Sequence, residues 1–368
     1  MQFSKTHYDT IVIGGGQAGL VCGYYLQQTD QDFVILDGSE RVGDSWRKRW
    51  DTMKLFTPAK VCGLPGAPFP AEPNHYPGKD EVAEYLEDYA RRFNLPVQLS
   101  TWVERLEEGE TGYVVETSRG TLTAAQVIVA TGAFPHTKVP AFSDEIDPGI
   151  RQLHSSEYRN PESLAGERVL IVGAGSSGSQ IALDMAAEKE VWLAGRFTGH
   201  VPQRLLGLFE PSWLLLNTLL NVPVTTALGR KIKQKVMSMG TPVEGVKEED
   251  FAAAGIERLP RVSEVEGGLP TFEDGSTLKP DVLLWATGYQ LNFDWIDMPI
   301  FDEHGAPMQT RGVVHDKRGL YFVGLPFLHK GKSPILPGVS EDAAYIVDHI
   351  QTQTNVVPQK EQAEIVFA

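Results

Sequence analysis

An α/β fold of two nested dinucleotide-binding domains, each a parallel sheet with a β-meander, is predicted by three features of the sequence. A glycine-rich loop directly follows a short apolar run twice, as GGGQAG from Gly14 and as GAGSSG from Gly173. The triplet Ala-Thr-Gly ends a later apolar run in each half, at Ala130-Thr131-Gly132 and Ala286-Thr287-Gly288, so the spacing repeats as well as the motifs. The stretch after Gly288 has no glycine loop of its own, only a strand-like run into Gly324 and a helical pattern near 340–350. Repetition at this scale marks a duplicated supersecondary unit, here the Rossmann-like βαβ unit.

The first unit opens with an apolar strand over 10–13 and the loop Gly14, Gly16, Gly19. In such a loop the first glycine makes the tight turn, the second lets a pyrophosphate approach the backbone, and the third lets helix pack on strand. The anion then sits on the N-terminus of the helix that begins at Gln17, where free N–H groups and the helix dipole favour negative charge. A second apolar run, FVIL, ends at Asp37, about 20 residues beyond the loop, where a carboxylate is placed for a ribose 2′-hydroxyl. A hairpin turning at Ser118-Arg119-Gly120 then leads into the run that ends at Ala130-Thr131-Gly132.

In the second unit a strand over 169–172 leads into Gly173, Gly175 and Gly178, with Ser176 and Ser177 opening the helix. Its second strand, over 191–194, ends in Gly195-Arg196 with no acid. A carboxylate repels a 2′-phosphate, whereas arginine binds one through charge-assisted hydrogen bonds. The second site is therefore expected to take NADPH in preference to NADH, with Arg196 as the determinant. A hairpin turning at Asp274-Gly275 precedes the second Ala-Thr-Gly.

A lone strand and helix need a parent sheet, so the tail is assigned to the first one. The expected domains are 1–157 with 291–368 for the first cofactor, and 163–290 for the nicotinamide cofactor. An insertion over 205–239 is apolar around 213–220, interrupted by Asn217, Asn221 and Pro223, and basic from Arg230. It reads as a helical lid rather than a membrane span, which needs about 20 apolar residues.

The remaining composition excludes classes. At 368 residues, 42% hydrophobic and 22% charged, the chain can bury two cores. A net charge of −15 repels polyanions, so no nucleic acid partner and no stable membrane insertion are expected. The two cysteines, Cys22 and Cys62, are in no CxxC spacing, which removes a redox dithiol and fits a reducing cytoplasm. The nine histidines form no ligand set, so no metal is expected. The opening residues run straight into a strand, so no export signal is expected. Two different dinucleotide sites in one chain make electron transfer the natural function, with a nicotinamide delivering hydride to a tightly held flavin, FAD.

Further motifs resemble the flavin-containing monooxygenases, in particular their short bacterial branch and the plant YUCCA-type enzymes. Gly43-Asp44-Ser45-Trp46, Trp50 and Leu55-Phe56-Thr57-Pro58 are similar to the family's flavin-ring segment. His154 with Tyr158 resembles the HxxxY end of its fingerprint, and Ala286-Thr287-Gly288-Tyr289 its ATGY element. The fingerprint's Phe and Gly are replaced by Pro148 and Ile150, and its active-site Asn has no counterpart at Thr57-Pro58.

The resemblance implies an NADPH-using, FAD-dependent monooxygenase that passes one oxygen of O2 from a flavin C4a-hydroperoxide to a small nucleophile such as a sulfide or amine. FAD would be held by Gly14, Gly16, Gln17, Gly19, Asp37, Trp46, Leu55, Thr131, Gly132 and Gly324. NADP would be held by Gly173, Gly175, Ser176, Ser177, Gly178 and Arg196. His154 and Tyr158 are the only candidates for a direct part in catalysis, since the flavin carries the chemistry. Two alternatives stay open: a flavoprotein reductase or oxidase that never oxygenates, and Baeyer-Villiger oxygenation of a carbonyl. Nothing in the sequence assigns a particular substrate or an oligomeric state.

Overall fold

The computed structural model describes residues 3–132, 136–201, 217–239 and 243–355. Their larger strands fall into two sheets. The first has nine strands, with the parallel order Leu320–Phe322, Gly120–Val129, His7–Ile13, Phe33–Leu36 and Val97–Gln98 at its centre. The antiparallel strands Val103–Gly109 and Gly112–Thr117 join it through Gly120–Val129 as a meander. The second sheet is wholly parallel, in the order Glu257–Leu259, Glu190–Ala194, Arg168–Val172, Val282–Trp285 and Arg151–His154.

Strands covered on both faces by helices read as continuous apolar runs, as IVI, FVIL, VLIV and VLLW do here. Ile11, Val12, Val127, Ile128, Val169, Leu170, Leu283 and Leu284 are accordingly fully buried. The tail after residue 290 returns to the first sheet. Leu320–Phe322 lies parallel beside Gly120–Val129, and the helix Leu336–Asn355 packs on the helix Gln17–Leu26.

The boundary expected at residue 157 is displaced. Arg151–His154 falls within 1–157, yet it is an edge strand of the second sheet, paired with Val282–Trp285. The crossing comes just after the first Ala-Thr-Gly, where His136–Thr137 pairs with Tyr289–Gln290 in a two-stranded ribbon between the ends of the two repeats. Four residues with two exposed polar side chains, Arg151 and Gln152, look like linker in a sequence because an edge strand needs only one apolar side.

Of the insertion, 205–216 lies outside the described residues. The remainder contains the helix Ala227–Met239, with Ile232 buried and Leu228 and Met237 exposed. Among the described residues no helix is long and apolar enough to cross a membrane.

Candidate functional site

The two glycine loops have nearly the same geometry. Gly14 and Gly173 adopt φ of +112° and +110°, a region L side chains avoid. A Cβ on Gly14 would meet the Ala130 carbonyl oxygen at 2.5 Å, and one on Gly173 would meet that of Ala286 at 2.4 Å. The amide of Gly14 donates to Leu36 O at 2.7 Å and that of Gly173 to Ala194 O at 2.9 Å. Ala130 N donates to Ile13 O, and Ala286 N to Val172 O, both at 2.8 Å. The repeated Ala-Thr-Gly is thus the back wall of each loop.

The third glycines work as expected. A Cβ on Gly19 would lie 1.8 Å from Gly14 O, and one on Gly178 would lie 1.8 Å from Gly173 O, so only glycine lets either helix approach its strand. The second glycines differ: Gly16 and Gly175 have no atom within 4 Å of a would-be Cβ. Each is the N-cap of a ten-residue helix, Gln17–Leu26 or Ser176–Met185, and neither helix has a side-chain cap or an acid in its first turn. An uncapped, unobstructed helix N-terminus beside a bare backbone is the donor set a pyrophosphate requires. Both loops fit a dinucleotide on this observation, and Ser176 and Ser177 stand half-buried at the second.

Asp37 sits at the end of Phe33–Leu36, where the sequence places it. Its carboxylate accepts from Gly15 N at 2.6 Å and from Ser39 N at 2.7 Å, so it clamps the glycine loop. A carboxylate has about four lone-pair sites, which leaves acceptor capacity for a hydroxyl. Arg196, at the equivalent strand end of the second half, is exposed and has no hydrogen bond or ion pair among the described residues.

A cation that sequence reading missed lies behind Arg196. Arg258 reaches across from the edge strand and donates to Leu193 O at 3.2 Å and Gly195 O at 2.5 Å. Its nearest carboxylate, Glu248, is 3.9 Å away, and its Nη1 is buried without a hydrogen bond. Burial pulls its pKa below the usual arginine value.

The other candidates for the first cofactor spread around its loop. Gln17 donates from Nε2 to Pro334 O at 2.7 Å, fastening the segment before the last helix to the helix N-terminus. Gly324, at φ +80°, needs its missing side chain because a Cβ would stand 2.8 Å from Ala18 Cβ. Thr131 is exposed and Gly132 half-buried just beyond the back wall. Trp46 lies in the short helix Asp44–Arg47, partly buried against the first core, and Leu55 is buried in that core. Trp50 instead belongs to the core of the second sheet. Thr57, standing where the family's Asn is absent, is buried with its hydroxyl 3.2 Å from Cys62 Sγ.

His154 and Tyr158, the two candidates for a direct part in catalysis, are both hydrogen-bonded within the protein. His154 Nε2 bonds Gly288 O at 3.0 Å, and Ser156 N donates to its Nδ1 at 3.2 Å. A carbonyl can only accept and an amide N–H only donate, so the ring is the neutral Nε2–H tautomer. Burial pushes its pKa below the usual histidine value. Tyr158 is fully buried and donates to Asp184 at 2.6 Å.

The structural gain is at the junction. His154 packs edge-on to Tyr289 at 5.0 Å, and Arg49 donates to the Tyr289 hydroxyl at 2.9 Å. The HxxxY and ATGY elements thereby form one joint.

Comparison with known proteins supports this geometry. Residues 11–200 match the family model described as pyridine nucleotide-disulphide oxidoreductase. The chain is 38% identical to the uncharacterized oxidoreductase CzcO-like of Geobacillus kaustophilus, over 93% of this chain and 98% of that protein. It is 30% identical to the probable indole-3-pyruvate monooxygenase YUCCA9 of Arabidopsis thaliana, over 92% of this chain and 88% of that one. The solved flavin-containing monooxygenase of Stenotrophomonas maltophilia superposes with a TM-score of 0.79 at 25% identity, covering 95% of this chain and all of the other.

Proposed function

The chain belongs to the flavin-containing monooxygenase family, and from that premise we propose that it is an FAD enzyme that uses NADPH to transfer one oxygen atom to a small soft nucleophile, a sulfide or an amine. In this reading FAD sits on the Gly14–Gly19 loop and the nicotinamide cofactor on the Gly173–Gly178 loop. The domain that holds FAD combines the N-terminal part with the tail from 291, and the nicotinamide domain lies between them. The enzyme would work in a reducing cytoplasm, where two buried free thiols are at home.

The observation that carries the cofactor choice is the contrast between Asp37 and Arg196 at equivalent strand ends. Arg196 is exposed and unpartnered among the described residues, so it is available to a 2′-phosphate as a bidentate donor. When bound, FAD would supply the hydride-accepting and O2-activating chemistry, and the Gly14–Gly19 loop with Asp37 would hold it. The protein's part is to hold the two dinucleotides, keep water away and fix the joint between their loops. His154 fixes it by tying the Gly288 carbonyl, and Arg49 by tying Tyr289.

The rival reading, a reductase or oxidase without oxygenation, draws on Thr57, whose hydroxyl is turned to Cys62 and which offers no side-chain amide. The test is turnover with NADPH under isotopically labelled dioxygen, with thioanisole and N,N-dimethylbenzylamine as probes. Label in the sulfoxide or N-oxide, with NADPH consumed in step, is the expected result. Peroxide formed in step with NADPH, with no label in either product, overturns oxygen transfer. Label appearing only in an ester from a ketone probe replaces it with carbonyl oxygenation.

A further inference from the structure

Trp102 is 67% exposed, more than any other large hydrophobic side chain among the described residues. A single exposed hydrophobic side chain needs no partner of its own, but an indole fixed beside Asp37 offers an open stacking face at that corner. Trp102 is held: its amide donates to Ser118 Oγ at 3.1 Å, and Ser118 N donates to the Trp102 carbonyl at 2.9 Å. Its ring lies over Gly38, where a Cβ would come within 2.4 Å of Trp102 Cε3. A residue with any side chain at position 38 would displace the ring, so the glycine after Asp37 and the tryptophan form one unit.

That unit is tied to Asp37, the residue read as the ribose acceptor of the first dinucleotide. Thr101 N donates to Asp37 O at 2.9 Å and Ser100 N to Ser39 O at 2.8 Å, which binds the 100–102 segment alongside 37–39. Asp37 in turn holds Gly15 of the loop. A base attached to a ribose at Asp37 would therefore emerge beside this segment.

The internal repeat supplies a second line of argument. Asp37 N donates to Gln98 O at 3.0 Å, and the equivalent Gly195 N donates to Leu259 O at 3.1 Å, so the two corners superimpose in connectivity. The residue that precedes the meander strand is Trp102 before Val103–Gly109 in one half, and Arg261 before Val262–Glu266 in the other. The corner with the acid carries an indole, and the corner with Arg196 carries a second exposed arginine. A neutral ribose and base call for a hydroxyl acceptor and a stacking face, whereas a 2′-phosphate calls for cations.

We propose that Trp102 is the adenine platform of the first dinucleotide site, its indole face stacking on the adenine of FAD while Asp37 takes the ribose. The inference rests on the reading that the Gly14–Gly19 loop holds FAD.

The test is titration of apoprotein, freed of flavin, with FAD and separately with FMN, which shares the flavin and one phosphate but lacks adenosine. Base stacking of about 1–3 kcal/mol converts to a loss of about 5- to 150-fold in FAD affinity for Trp102→Ala. FMN affinity and the melting temperature of the apoprotein stay unchanged, and Trp102→Phe restores most of the FAD affinity. Trp102→Ala binding FAD like wild type, or losing FAD and FMN equally, overturns the platform. Gly16→Ala serves as the control for the underlying reading. If Gly16→Ala weakens FAD while Trp102→Ala does not, only the platform falls; if neither weakens it, the loop is not the FAD site and both fall.

Discussion

Substituting alanine at Gly16 and at Gly19 separates binding from folding within one loop. At Gly19 the new methyl would lie 1.8 Å from Gly14 O and 3.3 Å from Val12 Cγ1, so the helix Gln17–Leu26 would have to back away from the strand His7–Ile13. That helix is also pressed from the far side by Leu336–Asn355, so retreat disturbs a second contact. Overpacking of this kind costs about 3 kcal/mol, of which a helix-propensity gain of about 1 kcal/mol offsets part. At about 2–4 °C per kcal/mol for a unit of this size, the apoprotein should melt several degrees lower.

At Gly16 the backbone has φ −77° and ψ −171°, which any residue adopts, and the methyl meets nothing within 4 Å. Stability should stay within about 1 kcal/mol, the scale of N-cap differences. The methyl nevertheless occupies the face where a pyrophosphate must reach the amides, and losing one charge-assisted hydrogen bond costs about 1.5–3 kcal/mol, or about 10- to 150-fold in FAD affinity. Differential scanning fluorimetry of the apoproteins and FAD titration by flavin quenching read the two effects independently. Wild-type FAD affinity in Gly16→Ala would refute the pyrophosphate site. A wild-type melting temperature in Gly19→Ala would refute the close packing of helix on strand.

The second half and the junction give further expectations. Arg196→Ala should raise the Kd for NADPH by about tenfold or more and leave that for NADH nearly unchanged, since about 1.5–3 kcal/mol is at stake in a hydrogen bond to a charged group; equal losses for both would assign Arg196 a merely structural part. His154 is neutral in the fold with its pKa held below the unfolded value near 6.5, so its contribution to stability is present above that pH and is lost as pH falls. Melting temperature against pH should therefore drop below about 6.5, and the drop should be shallower in His154→Asn; parallel curves for the two proteins would contradict this. Cys22 and Cys62 are both fully buried, and burial raises both thiols, that of Cys62 to about 11. Neither should react with Ellman's reagent until the protein is unfolded, and Cys62→Ser should still consume NADPH; rapid native labelling would reopen a thiol role.

The parts of the molecule legible in the sequence are those where backbone packs on backbone. Gly14, Gly19, Gly173 and Gly178 face carbonyl oxygens at distances no side chain tolerates, so their identity follows from the βαβ unit alone and needs no tertiary information. The Ala-Thr-Gly repeats were legible for the same reason, as the wall those glycines touch. What was not legible depends on partners far along the chain. Arg151–His154 is recognisable as a strand only beside Val282–Trp285, and Arg258 as part of the nicotinamide corner only beside Gly195. The burial of Tyr158 and its bond to Asp184 at 2.6 Å were likewise not legible, because that partner lies 26 residues along the chain. The last helix was placed near 340–350 but runs Leu336–Asn355, because Pro337 and Gly338 look like a loop yet fit a helix's first turn.

The two halves also show where specificity can diverge after duplication without disturbing the fold. Every contact shared between them, from the first-glycine turn to the amide of the residue after the second strand, is made by backbone or by glycine. The side chains that differ, Asp37 against Gly195-Arg196 and Trp102 against Arg261, stand at strand ends, where a change alters the ligand surface first, although Asp37 also holds the amides of Gly15 and Ser39. A carboxylate in place of Arg196 would by this logic fold normally and reverse the charge offered to the ribose. Arg258 sets a limit on that exchange: its guanidinium donates to Gly195 O with no carboxylate within hydrogen-bond distance, so a new acid beside it gains a cation partner. Arg196→Glu alone should therefore improve NADH binding less than Arg196→Glu with Arg258→Gln. Measured NADH affinities for the single and double variants decide the point, and equal values would show that Arg258 serves the strand edge and not the cofactor.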